Sequence, residues 1–139
     1  MTNRTRDDEL RAAAFAAMEH AYAPYSQFRV GAAVLTEDGA VVPGCNIENA
    51  SYPLGFCAEQ AAVANAVARG SRRFLALAIA TDATEPTPPC GACRQFLAEF
   101  GDLSITSHTS GGQSARWTLS ELIPHPFTSG LLRKREGAR

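Results

Sequence analysis

Two cysteine segments far apart in the chain must meet in space, and that requirement restricts the fold more than any other feature. Cys57-Ala58-Glu59 lies well upstream of Pro89-Cys90-Gly91-Ala92-Cys93. Three thiolates suit a soft divalent metal, zinc above all. Three protein ligands leave one tetrahedral position open, which is what separates catalytic from structural zinc. Glu59, two residues after Cys57, can then handle protons for a metal-activated water. A structural clip takes four ligands, and Cys45 is the remaining candidate, but it falls at the end of a predicted strand, outside any clip spacing. A buried apolar cysteine or a lone redox Cys-x-x-Cys accounts for one segment or the other. Neither explains a third cysteine paired with a glutamate.

The four cysteines could instead form two disulfides. The clip spacing of Cys90 and Cys93 and the polar stretch Met1 to Glu9, which has no apolar signal-peptide region, argue against it. The expectation is a cytoplasmic protein whose thiols stay reduced and available to metal. At 139 residues and 45% hydrophobic content the chain suits one domain with a real core. We expect that domain over residues 1–128, followed by a basic C-terminal tail over 129–139. A net charge of −1 implies no general attraction to nucleic acid. The longest apolar stretch, Leu75 to Ala80, is too short to cross a membrane.

Apolar positions Leu10, Ala13, Ala14, Ala17, Met18 and Ala21 share one face of a predicted helix from Asp7 to Tyr22, with Asp7 and Asp8 favouring its N-terminus. Phe28 to Leu35 and Ala40 to Ile47 read as strands joined by a hairpin turn at Glu37-Asp38-Gly39. Asn49 to Gly55 reads as a loop. Cys57 to Ala68 is alanine-rich and helical, with Gly70 as its stop. Phe74 to Thr81 reads as a strand covered on both faces. A proline-rich loop, Asp82 to Pro89, leads to a second short helix, Gly91 to Phe100. Leu103 to His108 and Ala115 to Thr118 are the last strands, Ser120 to Ile123 is a helical turn, and Leu131 to Arg139 is a frayed end. The order αββαβαββ predicts an α/β fold: a mixed five-stranded sheet with helices on both faces. The thiolates then sit at two helix N-termini, where the dipole favours negative charge. His20, His108 and His125 lie at no ligand spacing and read as structural or solvent-facing.

Several segments together resemble the small, homotetrameric, nucleoside-acting cytidine deaminases. They are Pro24-Tyr25-Ser26-Gln27-Phe28 with Val30-Gly31-Ala32-Ala33, then Gly44-Cys45-Asn46-Ile47-Glu48-Asn49-Ala50-Ser51-Tyr52-Pro53, the two cysteine segments with Arg94-Gln95, and Glu121-Leu122-Ile123-Pro124 with Phe127. The resemblance covers about residues 8 to 128. The zinc signature alone points only to the deaminase superfamily, while Asn46-Ile47-Glu48-Asn49 points to free nucleosides.

The resemblance implies a three-layer fold and one zinc per chain held by Cys57, Cys90 and Cys93. It implies that Glu59 moves the protons as an activated water attacks C4 of cytosine. Asn46 and Glu48 would hold the ribose 3′-hydroxyl, an alcohol that both donates and accepts. Their alternate spacing would put both on one strand face; by residue type alone, an exposed strand end is equally apt. Phe28 would stack on the base, and Ala58 and Pro88 would also touch substrate. Ala50, Tyr52 and Phe127 would reach a neighbouring subunit's site, which implies a tetramer. Phe28 and Phe127 read by themselves suit an ordinary core equally well.

This sequence departs from the family at two places. Three thiolates on Zn²⁺ leave the site negative, and members often answer with two arginines. Arg94 is present for charge compensation, but the other place is Gln60. Pro88 stands where the family usually has Ser or Thr, although proline keeps the carbonyl that receives the substrate amino group.

Superfamily members that edit polynucleotides place a helix between parallel last strands. Here only Thr109 to Ser114 separates them, too few for a parallel crossover, so an antiparallel hairpin is expected. With near-neutral charge and no aromatic-basic patch, the substrate is a small nucleoside, not a polymer. The alternatives are a deaminase of a modified cytosine nucleoside, of the blasticidin type, and a non-catalytic zinc-stabilised interaction module. Glu59 argues against the latter, because a structural site has no use for an acid beside its metal.

Overall fold

The computed structural model describes residues 3–132. Helix α1 (Asn3–Met18) precedes strands β1 (Val30–Thr36) and β2 (Val41–Cys45), helix α2 (Ala58–Ala68) and strand β3 (Phe74–Thr81). Helix α3 (Gly91–Ala98), strands β4 (Ser104–Thr109) and β5 (Ser114–Thr118) and the short helix α4 (Leu119–Leu122) follow. The sheet order is β2-β1-β3-β4-β5. Only β3 and β4 run parallel, joined across the sheet by α3, and β4 and β5 form the antiparallel hairpin expected from their short connection.

Alternation along the central strands builds two cores. Ala32, Val34, Val42, Leu77, Ile79 and Ile105 face Ala58, Ala62, Val63 and Ala66 of α2 and Leu97 of α3. The intervening residues Ala33, Leu35, Ala78 and Ala80 face Leu10, Ala14 and Met18 of α1. This is why Phe74–Thr81 reads as a nearly unbroken apolar run: both its faces are covered. Two sheet glycines let the helices approach closely. A Cβ on Gly31 would lie 1.9 Å from the Ala14 carbonyl oxygen, and one on Gly44 would lie 2.2 Å from the Ala62 nitrogen.

Several boundaries differ from the sequence expectation. Helix α1 starts four residues earlier than expected, so Asp7 and Asp8 lie past its first turn. It ends at Met18, because Tyr22 pairs with the segment after β2: its N–H donates to the Asn46 carbonyl at 3.0 Å, and its own carbonyl accepts from Glu48 N–H at 2.8 Å. β1 starts at Val30, not Phe28, and β2 spans Val41–Cys45, not Ala40 to Ile47. Asn46 and Glu48 therefore lie beyond the strand proper. α3 ends at Ala98, before Phe100. The 49–55 loop contains a 3-10 turn, Tyr52–Leu54, and a second such turn spans Ser129–Leu132, where the tail was expected to fray. The rest of that tail, 133–139, lies outside the described residues. Among the described residues no helix is long and apolar enough to cross a membrane.

Candidate metal and nucleoside site

The end of the sheet where β3 and β4 finish gathers the residues singled out by sequence. Thr81 and Thr109 are register partners there, and Val30 pairs with Thr81 as β1 begins. The N-termini of α2 and α3 point to the same place. Cys57 is the N-cap residue of α2 and Cys90 that of α3, with the Cys90 sulfur accepting from the Cys93 N–H at 3.4 Å.

The three sulfurs lie within 4.8 Å of one another, and Cys57 Sγ and Cys90 Sγ are 3.9 Å apart. A Zn–S bond of about 2.3 Å puts two tetrahedral ligands roughly 3.8 Å apart, so the donor set and its spacing fit zinc. All four cysteines are free thiols, and Cys45 lies outside the cluster. The electrostatics also favour a cation. Hydrogen bonding from Cys93 pulls the Cys57 thiol down to about 6, against its burial and with help from Cys90. Cys93 is pushed up by that same hydrogen bond, by burial and by the charges of Glu59 and Cys57. One thiolate forms readily and its neighbour resists, an opposition that a dication among the sulfurs removes.

Glu59, in the first turn of α2, is only 5% exposed. Burial pushes its carboxyl up to about 7, the hydrogen bond from its own backbone N–H opposes this, and the Cys57 charge reinforces it. A carboxyl in that range gives and takes protons near neutrality. The Gln60 side-chain oxygen, Oε1, is tied to the backbone at the start of α2. It accepts the Cys57 N–H at 3.4 Å and completes a capping box there. Arg94 donates to the Pro89 carbonyl at 2.8 Å and to the Leu122 carbonyl at 3.0 Å, fixing its cation at the base of α3.

A cavity of about 360 Å³ opens over Cys57, Glu59 and Cys90. Phe28, Asn46, Glu48, Tyr52, Ala58 and Pro88 all line it, so these six residues singled out from sequence converge with the cluster on one space. Tyr52 borders its own chain's cavity. Ala50 and Phe127 are absent from that lining, and both are exposed. Phe127 is held by Gln95, whose amide accepts the Phe127 N–H at 3.0 Å and donates to its carbonyl at 2.7 Å.

Asn46 and Glu48 both reach the segment before β1. Asn46 accepts from Val30 N–H at 2.9 Å and donates to the Phe28 carbonyl at 2.7 Å. Glu48 accepts from the N–H groups of Tyr25 and Ser26 at 2.9 and 3.1 Å and from the Ser26 hydroxyl. Those hydrogen bonds hold the Glu48 carboxyl below its ordinary range, the Ser26 hydroxyl contributing most. Sequence reasoning gave no role to Thr87, Ile79 or Phe56, which also line the cavity. Thr87 lies in the loop after β3 with no motif around it, and Ile79 is indistinguishable from other core positions until the sheet ends beside it.

Comparison with known proteins agrees with this geometry. Residues 4–109 match the family model described as the cytidine and deoxycytidylate deaminase zinc-binding region. The cytidine deaminase of Halalkalibacterium halodurans is 48% identical over 118 residues, 84% of this chain and 89% of that protein. That of Sporosarcina psychrophila is 46% identical over 114 residues, 81% of this chain and 84% of that protein. The crystal structure of cytidine deaminase from Burkholderia pseudomallei superposes with a TM-score of 0.83 at 44% identity, covering 91% of this chain and all of that one (100%). On the family model and the extent of these identities, the chain belongs to the cytidine and deoxycytidylate deaminase family.

Proposed function

We propose that this chain is a zinc-dependent cytidine deaminase that converts cytidine and 2′-deoxycytidine, with one water, to uridine and 2′-deoxyuridine plus ammonia, a pyrimidine salvage reaction. The observation that carries the reading is a buried carboxyl, Glu59, set beside three clustered thiols at the floor of a nucleoside-sized cavity. The relatives' activity supports it. It favours an enzyme over a zinc-stabilised interaction module, and cytidine over a modified nucleoside of the blasticidin type.

Cys57, Cys90 and Cys93 would hold one Zn²⁺ per chain. When bound, zinc supplies acidification of water and so a nucleophile at neutral pH. Glu59 takes a proton from the water that attacks C4 and delivers it to N3. It then takes the second proton, from the new C4 hydroxyl, and gives it to the amino nitrogen, so that the C4 carbonyl forms as the C4–N bond breaks and ammonia leaves. Its burial keeps bulk water from competing for those protons. Phe28 stacks on the base, the Pro88 carbonyl receives the amino group, and Ala58 closes the cavity beside Glu59. Asn46 and Glu48 hold the ribose hydroxyl. Arg94 supplies a fixed positive charge against the excess of thiolate charge.

The assembly reading is a homotetramer with shared sites, in which Ala50, Tyr52 and Phe127 meet a neighbouring subunit. Large exposed apolar side chains support it: Tyr52 is 74%, Phe56 57% and Phe127 56% exposed. We read residues 1–128 as the deaminase domain and 129–139 as its tail, in a cytoplasmic protein whose thiols stay reduced.

The test is the loss of cytidine absorbance on conversion to uridine by zinc-loaded protein. Glu59→Gln should keep zinc and fold but lose activity beyond the ~10²–10⁴ of simple acid–base assistance, because one group serves several proton transfers. Substantial turnover by zinc-loaded Glu59→Gln would remove Glu59 from the mechanism.

A further inference from the structure

The Ser26 hydroxyl occupies an unusual node beside the cavity. It donates to Glu48 Oε2, while its own oxygen accepts the Phe28 N–H at 3.0 Å. The Ser26 N–H donates to the other carboxylate oxygen, Oε1, at 3.1 Å. One residue thus grips both oxygens of Glu48 and, through the backbone, the residue that carries the Phe28 ring. Between them Gln27 has φ 59°, a left-handed conformation that non-glycine residues rarely adopt. That bend brings the Phe28 N–H back to the Ser26 oxygen. Gln27 N–H is itself tied to the Ala23 carbonyl at 2.9 Å. Glu48 and Phe28 both line the cavity, whereas Ser26 does not.

We propose that Ser26 is a positioning residue that couples sugar recognition to base recognition by fixing the Glu48 carboxylate and the Phe28 backbone through one hydroxyl. The assignment rests on the cytidine deaminase reading. A carboxylate oxygen that already accepts from Ser26 keeps its remaining lone pair in one direction, and a sugar hydroxyl donating to Glu48 meets it preorganised. Without the Ser26 hydroxyl the carboxylate can rotate, and the left-handed turn loses the bond that offsets its strain. The backbone N–H groups of Tyr25 and of residue 26 remain on Oε1 at 2.9 and 3.1 Å, so Glu48 is loosened, not released.

The experiment compares wild type, Ser26→Ala and Ser26→Thr on cytidine and on 3′-deoxycytidine, all zinc-loaded. A hydrogen bond to a charged group at an exposed site corresponds to roughly tenfold in binding. Ser26→Ala should raise KM for cytidine about tenfold with a small change in kcat, Ser26→Thr should recover most of the loss, and the penalty should shrink on 3′-deoxycytidine. A second readout needs no turnover: the Glu48 carboxyl, followed by carbon-13 NMR, should titrate at higher pH in Ser26→Ala and return with Ser26→Thr. Equal penalties on both substrates, a loss confined to kcat, or an unmoved Glu48 titration would each overturn the assignment while leaving the deaminase reading intact. Wild-type protein that leaves cytidine unchanged would overturn both.

Discussion

Replacing Gly44 by alanine should damage stability and activity together, although Gly44 lies in a strand and touches no substrate. Gly44 pairs with Ala32 in the β1–β2 ladder and faces α2. Its added Cβ would sit 2.2 Å from the Ala62 nitrogen, 2.7 Å from the Ala62 Cα and 2.8 Å from the Ala58 carbonyl oxygen. Ordinary contact begins near 3.5 Å, so α2 must retreat by roughly 1.3 Å. All three obstructing atoms are backbone, so no side-chain rotation relieves the clash. Overpacking costs about 1–3 kcal/mol, and the lack of any soft neighbour puts this site near 3 kcal/mol. With a urea m-value of about 2 kcal/mol/M, the unfolding midpoint should fall by about 1.5 M. The same movement carries Cys57, Ala58 and Glu59, because they begin α2. A misplacement of about 1 Å can cost about 10²-fold in rate. Urea unfolding followed by circular dichroism, together with cytidine turnover under folded conditions, measures both effects. Gly70→Ala is the control: nothing lies within 4 Å of its Cβ, but φ is +102°, so it should lose about 1 kcal/mol of stability with turnover unchanged. A Gly44→Ala protein with wild-type midpoint and rate would refute the claim that this contact sets the position of α2.

Each of Cys57→Ala, Cys90→Ala and Cys93→Ala should lower bound zinc, while Cys45→Ala should not; full zinc in the Cys93 variant, or loss in the Cys45 variant, would contradict the ligand set. The active species should sediment as a tetramer, and a fully active monomer would remove the shared-site reading. Gln60→Ala deletes the acceptor for the Cys57 N–H and should cost about 1 kcal/mol in urea unfolding, with Gln60→Glu retaining most of it; equal stability of all three proteins would show that the cap contributes nothing. His108 is held below its ordinary pKa by burial and by Arg11 and Arg116, against the opposing charge of Asp7. The unfolded chain therefore takes up this proton first, so stability should fall as pH drops through about 6.5 and below, and His108→Gln should flatten that slope. Identical slopes would show that His108 does not contribute to acid sensitivity.

Local chemistry was legible in the sequence wherever a few neighbouring residues decide it. Cysteine spacing singled out the three thiols that the fold brings within 4.8 Å of one another, and Glu59 was singled out by its place two residues on. Six residues between the last strands were too few for a crossover, so the hairpin could be read before the sheet was known. Period-two burial and the covered strand Phe74–Thr81 followed from apolar runs. What needed the tertiary structure was every feature in which distant backbone groups compete for a partner. Apolar periodicity extends the first helix to Tyr22, but pairing with Asn46 and Glu48 draws Tyr22 away from it. β1 begins two residues late because the Asn46 amide takes the Phe28 carbonyl and the Val30 N–H that a strand partner would otherwise bond. The same competition aims Asn46 and Glu48 at the 25–30 segment, a direction that strand alternation could not supply once β2 had ended at Cys45. Gln60 likewise matches its family position in sequence, yet only the position of the Cys57 N–H shows that it caps a helix. Spacing along a chain determines which residue types are available to one another; the backbone hydrogen bonds made across the fold determine where each side chain is left to point.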